Sequence, residues 1–194
     1  MRTKRTMLTF VTDVVPQIII MILGMFKSRI FLNNLNIDVY GLYQLYSQLI
    51  GYLTLFESGM TGAVLYRLFK PLAENILEKI SSIIAASKRV FYYIAYIVWG
   101  GGLALAFVIP YLINNNPFKL SYIVYTFILY VSTNAIFYLS ASYRILMDAQ
   151  QKKYINNIVV QSFAIVKSCI EIALVLMGFG IISVLWVGIV TTII

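Results

Sequence analysis

An all-α, membrane-embedded bundle of about six helices is the fold this sequence predicts, and three observations predict it. The 194 residues are 61% hydrophobic and only 11% charged, with a mean hydropathy of +0.87. A soluble domain carries about 25% charged residues. Five apolar segments are long enough to cross a bilayer, and a sixth begins before the sequence stops. Lysine and arginine gather at alternate ends of those segments, as they do where cytoplasmic loops collect basic residues.

The elements follow in order. The N-terminal MRTKRTMLTF resembles a signal-peptide n-region. The apolar segment behind it runs to Leu32, too long for a signal h-region and without an early small-residue cleavage site. Helix 1 is therefore retained, over residues 7–32. A polar turn at 33–38 leads into helix 2, 39–68. The mixed charges of 69–88 predict an interfacial helix and loop. Helix 3 covers 89–113 and ends at Asn114 to Pro117. Helix 4 covers 120–147, and a polar link through Lys153 leads into helix 5, 154–177. A tight turn at 178–180 opens helix 6, 181–194. At about 14 residues it is shorter than the ~20 a span requires. The chain is expected to be part of a longer one.

One set of helix ends holds Arg2, Lys4 and Arg5, then Arg67, Lys70, Lys79, Lys88 and Arg89, then Arg144, Lys152 and Lys153. The other holds Lys27, Arg29 and Lys119. The positive-inside rule puts the N-terminus in the cytoplasm. The net charge of +8 is thus assigned to loops and not to nucleic acid. Histidine is absent and Cys169 is the single cysteine. A disulfide within the chain, an imidazole metal site and a cysteine cluster are excluded. Gly100 to Gly102 lies inside an apolar helix, where it permits close packing or a kink and is not a phosphate loop.

At 100° per residue the polar groups form stripes. Helix 1 aligns Thr6, Thr9, Asp13, Gln17, Gly24 and Lys27. Helix 2 aligns Gln44, Ser47, Gln48, Gly51, Thr54, Ser58, Thr61 and Gly62, with Glu57 on its shoulder. Helix 4 aligns Thr126, Thr133, Ala141, Arg144 and Asp148. Helix 5 aligns Asn157, Gln161, Ala164, Lys167, Ser168 and Glu171. A charge in the middle of a span costs roughly 2.5–3.5 kcal/mol on insertion scales. These faces are expected to turn inward, towards one another or towards water. Small polar residues also serve as interhelical glue. Lys167–Glu171 and Arg144–Asp148 have the i, i+4 spacing of ion pairs. Arg29 lies opposite Asp13 on helix 1, where it can snorkel to the outer interface. Pro16, beside Asp13, removes a backbone hydrogen bond from helix 1.

Several residue runs resemble one family. Tyr40-Gly41-Leu42, Leu55-Phe56-Glu57-Ser58-Gly59, Ala63 and Leu68-Phe69-Lys70-Pro71-Leu72-Ala73-Glu74 resemble the second helix and following loop of bacterial polysaccharide flippases. These belong to the multidrug/oligosaccharidyl-lipid/polysaccharide exporter superfamily. Arg144-Ile-Leu-Met-Asp-Ala149-Gln-Gln151-Lys-Lys-Tyr154-Ile155 resembles the stretch after that family's fourth helix, with Gln150 where an Asp is usual. Arg29, near the end of helix 1, also fits.

The resemblance implies the N-terminal lobe of a two-lobe, alternating-access transporter in the bacterial cytoplasmic membrane, with its C-terminal lobe missing here. It implies export of an undecaprenyl-pyrophosphate-linked glycan, among membrane lipids and polysaccharide-assembly proteins, with no cofactor and no nucleic acid. Lys27, Arg29, Arg67, Arg144 and Lys167 are the candidate pyrophosphate and sugar ligands. Asp13, Glu57 and Glu171 are the candidate carboxylates for a coupling proton or Na+, or for holding those bases in place. A multidrug or cation antiporter of the same superfamily is the alternative, and would call for an acidic cavity. A membrane-embedded glycan-assembly enzyme is an outsider, since loops are short and histidine is absent.

Overall fold

The computed structural model describes the backbone of residues 2–112 and 118–193, and the side chains of 7–52, 59–109 and 118–193. Among them the chain is all-helical: α1 (Arg2–Asn34), α2 (Ile37–Ala73), α3 (Leu77–Leu112), α4 (Leu120–Leu139), α5 (Ala141–Ala149), α6 (Lys153–Leu176) and α7 (Ile181–Ile193). Among the described residues four stretches, and not the expected five, are long and apolar enough to cross a membrane: Met7–Asn34, Leu77–Ile109, Leu120–Leu139 and Lys153–Leu176. At ~1.5 Å per residue, the 20 residues of α4 reach about 30 Å, the thickness of a bilayer's hydrocarbon core.

Two expected boundaries are corrected. The segment 69–88 is not a separate interfacial helix. Its first residues finish α2, and residues from Leu77 onward are the start of α3. No glycine or proline lies between Leu77 and Trp99, so nothing interrupts helical hydrogen bonding there. The first two turns of α3 are also held by packing, since Ile80, Ile83 and Ile84 lie against the cluster of Leu68, Phe91, Ala141 and Ile145. The expected helix 4 is instead two helices, α4 and α5, parted at Ser140. There Ser140 Oγ and Arg144 Nη2 both donate to the Phe137 carbonyl, at 3.0 and 2.9 Å. Side chains that compete for backbone acceptors in this way favour a turn.

The connections are short. Asn75 and Gln151 take left-handed φ of 54° and 59° in the links before α3 and α6. Gly178, at φ 85°, turns the chain between α6 and α7, a conformation glycine adopts without steric cost.

The core forms where buried residues recur at helical spacing. On α3 these are Ser87, Phe91, Ala95, Val98, Gly102, Ala106 and Ile109. They meet Ile123, Phe127 and Val131 of α4 and Tyr46 of α2. Tyr46 is satisfied in that apolar setting by the Ile123 carbonyl at 3.1 Å and Thr126 Oγ1 at 2.9 Å. Gly102 has the expected packing role: a Cβ there would meet Val131 Cγ1 at 2.6 Å. Gly100 and Gly101 have nothing within 4 Å of that position.

Helix α1 does not pack chiefly on its chain neighbour α2. It lies along α6. Asp13 meets Lys153 and, further along, Lys27 meets Glu171, so the two helices run parallel. Helices α4 and α7 complete the wall around the inner face of α6.

Candidate functional site

Helix α6 is built inside out for water and correctly for lipid. Its apolar Ile158, Val159, Phe163, Val166 and Ile170 are exposed. Its polar Asn157 and Glu171 are buried, and Gln161, Lys167 and Ser168 are half-buried. The polar stripe predicted for this segment therefore does face inward.

Glu171 is the focus. Its side chain is 2% exposed, and Oε2 accepts a hydrogen bond from Lys27 Nζ at 2.6 Å. Lys167 Nζ stands 4.0 Å from Oε1. The expected i, i+4 pair is thus present but is the looser contact; the short one crosses from α6 to α1. Lys27 also lies over the rings of Phe31 and Tyr43, 5.1 and 5.4 Å from their centroids. Aromatic faces attract a cation and replace part of its water. Two ammonium groups share one carboxylate, so the cluster is net positive. A buried charge is tolerable only when paired and hydrogen-bonded, and this arrangement gives the acid one short hydrogen bond and a second cation nearby while leaving Lys167 the more loosely engaged.

Space is provided on the Lys167 side. Gly188 of α7 lies against it: a Cβ there would sit 3.5 Å from Lys167 Nζ and 3.3 Å from Thr133 Oγ1. A chamber of about 110 Å³ is lined by Tyr43, Tyr130, Thr133, Asn134, Lys167 and Glu171, with Val184, Leu185 and Gly188. That is room for a few waters, at about 30 Å³ each. Thr133, Asn134 and Lys167 also line a larger cleft of about 550 Å³ between α4, α6 and α7, which reaches Arg144 and Asn156. Phe137, Arg144 and Asn156 in turn border a third cavity of about 190 Å³, with Thr61 and Asp148. Shared residues thus connect Glu171 to Asp148 by way of two cations.

The predicted residues fall into groups. Lys27, Lys167 and Glu171 come together. Arg144 lines the cleft with its guanidinium stacked on Phe137, 3.5 Å from the ring centroid. Asp13 lies outside the cluster, paired with Lys153 at 3.3 Å on a partly exposed α1–α6 seam. Lys153 as its partner was not foreseen, because nothing local in the sequence relates residues 140 positions apart. Arg29 and Arg67 are exposed and line none of these three cavities. Glu57 lies in α2, and its side chain is outside the described residues.

The polar stripe predicted for helix 2 is corrected in part. Ser47, Gln48, Gly51 and Gly62 are exposed, and α2 buries Leu42, Tyr46 and Ile50 instead. Tyrosine and leucine bury more apolar area than serine or glycine, and burial scales with that area. Gln44 and Thr61 are half-buried: Gln44 donates to Tyr40 Oη at 2.6 Å, which donates to Ser28 Oγ of α1 at 2.9 Å, and Thr61 borders the 190 Å³ cavity, while the side chains of Thr54 and Ser58 lie outside the described residues.

No family model, curated protein or solved structure matches this chain.

Proposed function

We propose that the chain is one lobe of a transporter that moves a lipid-linked oligosaccharide across the bacterial cytoplasmic membrane, its N-terminus cytoplasmic. The observation that carries this reading is the net positive cluster of Lys27, Glu171 and Lys167, buried among apolar helices and opening through Lys167 onto a 550 Å³ cleft that also contains Arg144. Positive charge in a water-poor cavity suits a ligand with phosphate oxygens, which form short charge-assisted hydrogen bonds with ammonium and guanidinium groups. A cationic drug would meet repulsion there, since the chamber's one carboxylate is already held by two lysines. Asp13, Glu57 and Glu171 remain the carboxylates for a coupling proton or Na+.

The test is replacement of Lys167 by Gln, and separately by Arg, in the gene of the full-length protein. Lys167→Gln should abolish surface polysaccharide and cause lipid-linked oligosaccharide to accumulate, with protein levels in the membrane unchanged. Lys167→Arg, which keeps the charge, should restore part of the export. Normal export by the Gln variant would remove the transport reading.

A further inference from the structure

We infer that the middle of the cleft between α4, α6 and α7 selects a hydroxyl-bearing ligand, a sugar ring with an anionic group at one end, and that Thr133, Asn134, Thr191 and Thr192 make the selection. The biological setting rests on the transport reading above; the chemistry rests on the cleft wall. A threonine hydroxyl has one proton to donate and two lone pairs to accept with. Here those protons are directed back along the helices. Thr133 Oγ1 donates to the Leu129 carbonyl at 3.2 Å, Thr191 Oγ1 to Val187 at 2.8 Å and Thr192 Oγ1 to Gly188 at 2.8 Å. Asn134 Nδ2 gives one of its two protons to the Tyr130 carbonyl at 2.9 Å, which leaves its side-chain oxygen as an acceptor and one N–H as a donor. With these bonds made, the threonine oxygens lining the cleft can only accept.

An acceptor-rich wall discriminates by chemistry. Inorganic phosphate brings mainly acceptors, with a P–OH proton or two, so it gains little from the wall. Sugar hydroxyls carry the donors it lacks. A flat apolar ligand would leave the wall's oxygens without partners, and a buried polar group left unpaired is penalised. The charged donors lie at the two ends, where Lys167 and Arg144 can hold an anionic group. Phe137 and Phe163, both part-exposed, add apolar surface for the C–H face of a ring. Along α6, Asn156 and Lys167 are separated by about 16 Å, and the volume of about 550 Å³ lies in the range of small-ligand sites.

The experiment uses the full chain in lipid nanodiscs and measures binding of glucose 1-phosphate, glucose and inorganic phosphate by calorimetry. Glucose 1-phosphate should bind about tenfold more tightly than inorganic phosphate, the yield of roughly two added hydrogen bonds. The isosteric double change Thr191→Val with Thr192→Val should remove that tenfold preference and leave inorganic phosphate binding as it was. Lys167→Gln should weaken both anions. Equal binding of phosphate and sugar phosphate, or a double variant that keeps the preference, overturns the assignment. Should the double variant unfold, Thr133→Val is read by the same ratio. A short-chain polyprenyl-linked glucose phosphate separates a lipid-borne sugar from a free one, and its affinity too must fall in the double variant; an unchanged affinity overturns the assignment. Export that is normal in Lys167→Gln, alongside a threonine-dependent sugar preference, would sink the transport reading and leave this site standing. Lost export without a sugar preference would do the reverse.

Discussion

Lys27 and Glu171 show how single residues make a charged interior tolerable. Each alone would be expelled from a bilayer or forced to neutralise. Together, at 2.6 Å and beside two aromatic rings, they form a contact whose loss on one side costs about 3–5 kcal/mol. Asp148 poses a gentler version of the problem on α5, outside the four apolar spans. Its Oδ1 is buried without a hydrogen-bond partner. Burial raises its pKa above the ordinary 3.8, against the opposing pull of Lys153 and Arg144. An acid whose folded pKa is raised holds its proton more tightly in the native state. The stability linked to that proton is complete below the unfolded pKa and is lost as pH rises through the folded one. Asp148→Asn removes the loss. Parent and variant should unfold alike near pH ~3.5, and the variant should gain over the parent as pH approaches ~7. Denaturation midpoints in detergent, taken across that range, check this; a difference that stays flat with pH contradicts it.

At the level of elements, the α3–α4 crossing is the closest approach between helices that a glycine reveals. Adding a methyl at Gly102 drives it into the Val131 side chain, with Cγ1 at 2.6 Å and Cβ at 3.2 Å. Gly102→Ala should therefore destabilise by about 1–3 kcal/mol, the usual cost of overpacking. Gly101→Ala, with open space around it, should stabilise by up to about 1 kcal/mol through helix propensity alone. Thermal unfolding of the two variants side by side decides the matter, and equal midpoints would mean that the crossing yields. The break at Ser140 shows the other way an element is shaped. A side-chain hydroxyl and a guanidinium converge on one carbonyl, and a run that looks like one helix divides. Hydropathy could not reveal that division, because Arg144 is the only charged residue within 120–147 and the serines and threonines scattered along the run do not set Ser140 apart. The inward polar stripe of α6 was legible because its period is helical and its outer face is mainly aliphatic or aromatic.

For the whole molecule, the parallel pairing of α1 with α6 sets the architecture. It closes one side of the bundle with two ion pairs, one buried and one part-exposed. It also brings a lysine from the beginning of the chain to a carboxylate near its end. The proposed orientation places the start of α3 in the cytoplasm and the start of α4 outside. In a Cys169→Ser background, a cysteine at exposed Lys79 should react with an impermeant maleimide only in opened cells. One at exposed Lys119 should react in intact cells. The reverse pattern would invert the topology, and labelling of both sites in intact cells would rule out a single membrane orientation.

Composition and periodicity were sufficient for the all-α, membrane-spanning class, because burial of backbone polar groups in lipid leaves little choice but helices. They were also sufficient for the inward faces of α4, α5 and α6, where polar residues recur on one side of an otherwise apolar cylinder. Partners were a different matter. A helical wheel ranks directions on one helix and carries no information about which helix stands opposite. The i, i+4 rule therefore offered Lys167 to Glu171, while the fold supplied Lys27 at shorter range from 144 positions away. The same blindness holds for α2: Ser47, Gln48, Gly51 and Gly62 of its stripe face outward, because Tyr46 and Leu42 had more area to bury and faced the core. Only the packing of α1 on α6, and of α7 against both α4 and α6, turned separate polar stripes into one cluster with a cleft beside it.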